Sequence, residues 1–190
     1  MSLPFPLQID NELELHLLQP HHTEAFFEAV MANHAHLDPW LRWSGRIQTL
    51  DDAAAYIQRC DARWAADDGF HAGLWQGGRL IGGIASPFIN RDSRKGEIGY
   101  WLIAGLTGQG IVTRACSRVL TLMFNEENLH RIELQAAADN VRSRAVAERL
   151  GFTLEGIKRE SEWIGESFRD HALYSLLARE WYVRESQAKN

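Results

Sequence analysis

The chain has 190 residues, of which 45% are hydrophobic and 24% are charged. This size and composition are typical of a single globular domain, which we predict over residues 1–190. No apolar run reaches the roughly 20 residues that a membrane-spanning helix requires. A formal net charge of −5 argues against binding to nucleic acid, because such a surface has to neutralise many phosphates.

The cysteines, the histidines and the N-terminus add further expectations. Residues 1–10 lack a basic start, and two prolines interrupt their apolar stretch, so we expect no secretory signal. Cys60 and Cys116 have neither disulfide nor thiolate-metal spacing and are interpreted as buried core thiols. The histidines at 21–22 and at 34 and 36 lack the partners that would complete a metal site. We therefore predict a cytoplasmic protein without a metal ion.

The first half of the chain alternates between strand and helix patterns. Leucines at 13, 15 and 17 alternate with polar residues, which predicts a strand, and Gly77-Gly78 between two apolar runs predicts a hairpin. In chain order we predict that strand, a helix over residues 22–33, an irregular aromatic-rich connection over 34–47, a helix from Thr49 to about 67, and hairpin strands at 70–76 and 79–88.

The second half repeats this alternation. Gly151 follows an apolar helical pattern, as a helix-ending glycine does, and Gly165-Glu166 separates two further strand patterns. In chain order we predict a strand at 97–102, a helix from Gly110 to about 125, a strand at 131–137, a short helix over 140–150, and a closing hairpin over 153–164 and 168–178.

Residues 102–113 place a strand, a glycine-bearing turn and a helix in immediate succession. A helix N-terminus has unpaired amide donors and a partial positive charge, which suit a pyrophosphate. Gly108 and Gly110 allow the backbone to approach such an anion closely. The pattern is neither a Walker A motif nor a Rossmann fingerprint, and taken alone it is a common loop.

Two motifs in order resemble the GNAT superfamily of N-acetyltransferases. Residues 107–112 occupy the positions of its motif A, R/Q-x-x-G-x-G/A, although Thr107 and Val112 depart from the first and last positions. Residues 140–152 resemble its N-x-x-S…L-G-F segment. The run Leu154-Glu155-Gly156 and the closing hairpin are similar to the branch of ribosomal-protein N-terminal acetyltransferases of the RimL and RimJ type. The resemblance covers roughly residues 10–180, the predicted core of the domain.

The resemblance implies the fold, the cosubstrate and the residues that bind it. The fold would be α/β, an α+β arrangement of three layers, with a mixed and mostly antiparallel central sheet of six to seven strands and about four helices. Acetyl-CoA would be the cosubstrate, with backbone amides near Leu102 and Ile103 holding the acetyl carbonyl. The remaining implied contacts are Gly108, Gln109, Gly110, Ile111, Val112, Thr113 and Asn140.

The resemblance also implies catalytic roles. Glu162 lies in the register of the branch's general base, and Ser143 occupies the position of the serine that serves as the acid or orients the thiol. Each has a plainer interpretation: Glu162 as an exposed strand glutamate, and Ser143 as a residue that bonds the first turn of its helix. Trp40 and Trp43 lie in the loop expected over the acceptor, so we predict them as substrate contacts.

Three alternatives remain for the function, and the first two differ in the acceptor amine. In the first, the acceptor is the N-terminal α-amine of a ribosomal protein, since an α-amine with a pKa of about 8 loses its proton more readily than lysine. A small amine, such as a polyamine, an aminoacyl nucleotide or an antibiotic, is the second alternative, and a non-catalytic CoA-binding module is the third. Pairing of two copies as a homodimer is also left open.

Overall fold

An antiparallel sheet forms from the first half of the chain. The computed structural model describes residues 3–188, so the ends of the predicted 1–190 domain lie outside the described residues. Gly77 and Gly78 have φ values of 55° and 77°, which close the predicted hairpin. The strands, in their order across the sheet, are β1 (Leu7–Gln8), β2 (Leu13–Leu17), β3 (Phe70–Gln76), β4 (Arg79–Ser86) and β7 (Gly99–Leu102).

A second five-stranded sheet forms mainly from the other half. Gly165, with a φ of 61°, lies in the turn of the predicted closing hairpin. All neighbouring strands are antiparallel except β6 and β8. The order across the sheet is β5 (Ile89–Asn90), β6 (Lys95–Glu97), β8 (Arg131–Ala137), β10 (Ser167–Leu177) and β9 (Thr153–Ile164).

The two sheets meet along one extended segment and then diverge. β6 and β7 are consecutive and are separated only by Ile98, whose amide donates to the Glu133 carbonyl at 2.8 Å. Before Ile98 the segment pairs with β8; after it, the segment pairs with β4 instead. A gap therefore opens between β7 and β8.

Helices cover the two faces of the sheets. In chain order they are α1 (Thr23–Met31), α2 (His34–Leu37), α3 (Leu50–Ala65), α4 (Ile111–Asn125), α5 (Val141–Leu150) and α6 (Ala178–Ala188). Tyr100 bonds to Ser143 of α5, whereas the next residue, Trp101, packs on Phe26 of α1. Because neighbouring strand residues point to opposite faces, α1 and α5 lie on opposite sides of β7. We call these the acceptor face and the donor face.

The predicted fold class is confirmed, but the predicted numbers of elements were wrong. Residues 3–188 contain two five-stranded sheets and six α-helices, rather than one sheet of six to seven strands with about four helices. The two-residue strands β1 and β5 exist only through pairing with a neighbour, which no local pattern reveals. The four-residue α2 lies in the stretch predicted to be irregular, and α6 was not predicted. One hydrophobic cluster extends from Leu3 to Trp181.

Candidate active site

The turn before α4 presents a row of free backbone donors. Gly108 and Gly110 have φ values of 81° and 71°, so the chain turns sharply into the helix. Among the described residues, no protein acceptor bonds to the amides of residues 108–113. A Cβ at Gly108 would meet no protein atom within 4 Å, so the approach to these donors is open. This cradle suits the pyrophosphate of acetyl-CoA.

The side chains around the cradle fit this interpretation. Thr113 Oγ1 is buried and has no hydrogen-bond partner within residues 3–188. Val112, one of the two departures from motif A, is 9% exposed and packs into the core, so its size does not obstruct the cradle. At the other departure, Thr107 Oγ1 donates to the Ala104 carbonyl at 3.1 Å. The contacts predicted at Gly108, Gln109, Gly110 and Ile111 are therefore ones that free backbone amides can make.

Of the two backbone amides predicted to hold the acetyl carbonyl at the end of β7, those of Leu102 and Ile103, only one is free to do so. The Ile103 amide donates to the Ile81 carbonyl at 2.9 Å, so it is used within the first sheet. In an antiparallel pair, hydrogen-bonded and non-hydrogen-bonded positions alternate. Leu102, paired with Gly82, is therefore at a non-hydrogen-bonded position, and its amide points into the gap. Leu102 can hold an acetyl carbonyl oxygen with its amide, whereas Ile103 cannot.

Ser143 lies at the donor face, beside a tyrosine that the sequence did not indicate. Its Oγ is 2.8 Å from the Tyr100 hydroxyl, which also lies 3.0 Å from the Ser143 carbonyl oxygen. Burial raises the pKa of Tyr100 well above its usual range, so the hydroxyl stays protonated. Asn140 Oδ1 accepts the Ser143 amide at 3.1 Å and caps α5. Both the predicted serine and its helix cap are therefore in place.

Glu162 lies on β9 within a polar cluster at the acceptor face. Its Oε2 is 3.3 Å from Nε2 of His171, and its Oε1 is 4.0 Å from Nε of Arg42. The Glu162 side chain is 40% exposed, so a substrate from solvent can reach it. Glu97 is a neighbour on this side, and burial raises the pKa of its carboxyl, which accepts a bond from Gln135 at 3.0 Å.

The two predicted substrate tryptophans occupy different surroundings. Trp43 packs among Tyr56, Phe26 and Trp101, with ring centroids 5.1 to 5.9 Å away. Trp43 is thus part of an aromatic layer that lines the acceptor face next to β7. Trp40 is half-buried, as Trp43 is, but it makes no ring contact among the described residues. Its side chain is the more available of the two for contact with a substrate.

Several residues that shape this region carried no signal in the sequence. Asn33 follows α1, and its Oδ1 accepts the Ala104 amide at 2.9 Å, which ties the acceptor loop to the turn after β7. Arg114 donates to the Gln109 carbonyl at 3.1 Å and to Asp10 at 2.9 Å, which holds the cradle from outside. The bonds from Ala104 to Asn33 and from Arg114 to Asp10 join residues far apart in the chain, so no local spacing could have indicated them.

The described residues also set limits on other kinds of site. Within residues 3–188, no group of three His, Cys, Asp or Glu side chains gathers so that it could hold a metal ion. In the same part of the chain, every helix is too short or too polar to cross a lipid bilayer.

Comparison with known proteins identifies the family. The acetyltransferase (GNAT) domain model matches residues 12–153. The chain is 35% identical over 178 residues to the Bacillus subtilis (strain 168) "Putative ribosomal N-acetyltransferase YdaF", covering 93% of this chain and 97% of that protein. It is 27% identical over 171 residues to the ribosomal-protein-serine acetyltransferase of Escherichia coli (strain K12), covering 90% and 96%. A solved "Probable acetyltransferase" matches with a TM-score of 0.88 at 34% identity, covering 93% of this chain and 99% of its own.

The chain belongs to the GNAT acetyltransferase family. It is an acetyl-CoA-dependent N-acetyltransferase, which uses acetyl-CoA as the cosubstrate and a primary amine as the acceptor. The family and the cosubstrate predicted from the sequence are thereby confirmed.

Proposed function

We propose that the protein acetylates the N-terminal α-amine of a polypeptide, and that a ribosomal protein is the first candidate. The printed names of the two relatives support this acceptor, since both refer to ribosomal substrates. The exposed carboxylate of Glu162 also supports it, because an extended N-terminus can reach this residue from solvent. We place the reaction in the cytoplasm and propose one domain, which the continuous core from Leu3 to Trp181 supports.

One observation carries the proposal: a carboxylate and a hydroxyl lie on opposite faces of the gap. Glu162 is on the side of Arg42 and His171, whereas Ser143 bonds to Tyr100 on the side of α5. The amide of Leu102 points between them. A thioester in the gap would therefore meet a base on one side, a proton donor on the other and an oxyanion donor between them.

These groups are assigned the following steps. Glu162 takes a proton from the attacking ammonium group, directly or through a water. The amine nitrogen then forms a bond to the thioester carbonyl carbon, and the Leu102 amide stabilises the negative charge that develops on the carbonyl oxygen. As the carbon–sulfur bond breaks, the Ser143 hydroxyl, bonded to Tyr100, gives a proton to the leaving thiolate. The serine regains a proton through water from the nitrogen of the intermediate, so the products are a neutral amide and a free thiol. The amides of residues 108–113, with Thr113 Oγ1, hold the pyrophosphate.

The test is release of free thiol from acetyl-CoA against three panels: ribosomal-protein N-terminal peptides, the same peptides with blocked N-termini, and small amines. We expect turnover with free N-termini and about a 10²-fold or larger fall in kcat for Glu162→Gln, with unchanged affinity for acetyl-CoA. Glu166→Gln is the matched control, since Glu166 is exposed at the turn of the same hairpin. Turnover of small amines alone would overturn the polypeptide acceptor, and full activity of Glu162→Gln would overturn the base.

A further inference from the structure

His171 is a buried polar residue whose two ring nitrogens are both contacted. The residue is 5% exposed and lies on β10, beside the hairpin partner β9. Nδ1 is 3.2 Å from Ser161 Oγ, and Nε2 is 3.3 Å from Glu162 Oε2. Ser161 and Glu162 are consecutive residues of β9, and they contact the two nitrogens of the same ring.

The acceptor character of the Glu162 carboxylate determines which ring nitrogen of His171 is the hydrogen-bond donor. An ionised carboxylate only accepts hydrogen bonds, so the nitrogen that faces Glu162 must carry the hydrogen. In the neutral ring the other nitrogen is then an acceptor, and the Ser161 hydroxyl can donate to it. The Glu162 carboxylate thus favours the tautomer in which His171 donates from Nε2, and the Ser161 hydroxyl complements it by donating to Nδ1.

The backbone of β9 is distorted to make this arrangement. Lys158 pairs with His171 and Glu162 pairs with Arg169, so three residues of β9 lie opposite the single residue between them on β10. Within this bulge Glu160 has a φ of 48°, a conformation that costs energy in a residue other than glycine. Bulges re-aim side chains, and this one brings Ser161 and Glu162 to the two ends of one imidazole ring.

We propose that His171 is the positioning residue of Glu162, and that it holds the carboxylate toward the acceptor amine through the bond from Nε2. This inference rests on the proposed function, in which Glu162 is the general base. Arg42, the other contact of Glu162, lies at 4.0 Å and is exposed, so it restrains the carboxylate less. Without the bond from His171, a half-exposed glutamate would sample several rotamers.

The test compares two amide side chains in place of the His171 imidazole. The amide introduced by His171→Asn would replace Nδ1 but be too short to reach Glu162, whereas the longer side chain of His171→Gln can donate from near the position of Nε2. We expect about a tenfold fall in kcat for His171→Asn, an unchanged KM for acetyl-CoA, and recovery of most of the activity in His171→Gln. In the Glu162→Gln protein, His171→Asn should cause no further fall.

The outcomes separate this inference from the function on which it rests. An equal fall in both backgrounds, or no recovery in His171→Gln, would show that His171 does not act through Glu162. Wild-type kcat in His171→Asn, with Glu162→Gln inactive, would overturn only the positioning role. Full activity of Glu162→Gln would instead overturn the base assignment. If His171→Asn does not fold, Ser161→Ala removes only the hydroxyl that bonds to Nδ1 of His171 and must lower kcat by about threefold.

Discussion

The donor and acceptor sides of the gap are built in different ways. On the donor side, the cradle consists of the consecutive amides of residues 108–113, which belong to one turn and one helix start. On the acceptor side, the polar cluster joins Arg42 from a loop to Glu162 and His171 from two strands of the closing hairpin. One site is made of neighbouring backbone groups, and the other of side chains that the fold brings together.

This difference determines what each site tolerates. Backbone donors persist when side chains change, which is why the departures at Thr107 and Val112 leave the cradle intact. The cradle is sensitive instead to the dihedral angles at Gly108 and Gly110. The acceptor side depends on single side chains, so one isosteric substitution can remove a function without a change in backbone.

After the Glu162 variant, the largest fall in kcat is expected from a substitution of Ser143, on the donor face. Ser143→Ala removes the hydroxyl proposed to protonate the thiolate and should lower kcat by about 10²-fold. It should leave the cap of α5 in place, because the cap uses the Ser143 backbone amide, and should lower the free energy of unfolding by about 1 kcal/mol through loss of the bond to Tyr100. Steady-state kinetics and thermal melting measure both quantities.

Asn140→Ala is the counterpart of Ser143→Ala. It removes the cap itself and should cost about 1 kcal/mol of unfolding free energy, a fall in Tm of about 2–4 °C. Unchanged kcat in Ser143→Ala would mean that the thiolate leaves without a proton from this residue.

A smaller effect is expected from Gly108→Ala, which perturbs the cradle through its backbone. Alanine at a φ of 81° is strained, and relief of that strain would turn the amides away from the ligand. The Kd for acetyl-CoA, measured by calorimetry, should rise about tenfold, which corresponds to the roughly 1–2 kcal/mol cost of a left-handed residue.

Gly78→Ala is the matched control, since Gly78 has a φ of 77° and, like Gly108, has no protein atom within 4 Å of its added Cβ. Both variants should lose similar stability, but Gly78→Ala should keep its Kd. Equal affinities in the two variants would contradict the position of the cradle.

The smallest effect is expected from Thr107→Arg, which restores the residue type that motif A prefers. The added guanidinium should tighten acetyl-CoA binding about threefold at low salt and have no effect near 1 M salt, where surface charges are screened. Thr107→Met, with an uncharged chain of comparable length, should bind as the wild type does. A loss of affinity in Thr107→Arg would indicate that the position is closed to a side chain of this size.

The elements that the sequence predicted are those with strong local patterns. The hairpin at Gly77-Gly78, the strand at Arg131–Ala137 and the helix capped by Asn140 all lie where alternation, periodicity or capping residues placed them. β1 and α6 were missed, and the helix predicted to Asn33 ends at Met31. Pairing and packing with distant segments decide such details, and a local pattern does not contain them.

By itself, the sequence determined the family, because two motifs within short segments carry the resemblance. The phosphate cradle and the roles of Glu162 and Ser143 are predictions that this resemblance implies. The tertiary structure alone decided that the Ile103 amide is used by Ile81, that Tyr100 accompanies Ser143, and that His171 contacts Glu162. The physical reason is the divergence of the strands after Ile98. This divergence opens the gap between β7 and β8, into which alternate amides of β7 point. Only the pairing of distant strands determines where the divergence occurs.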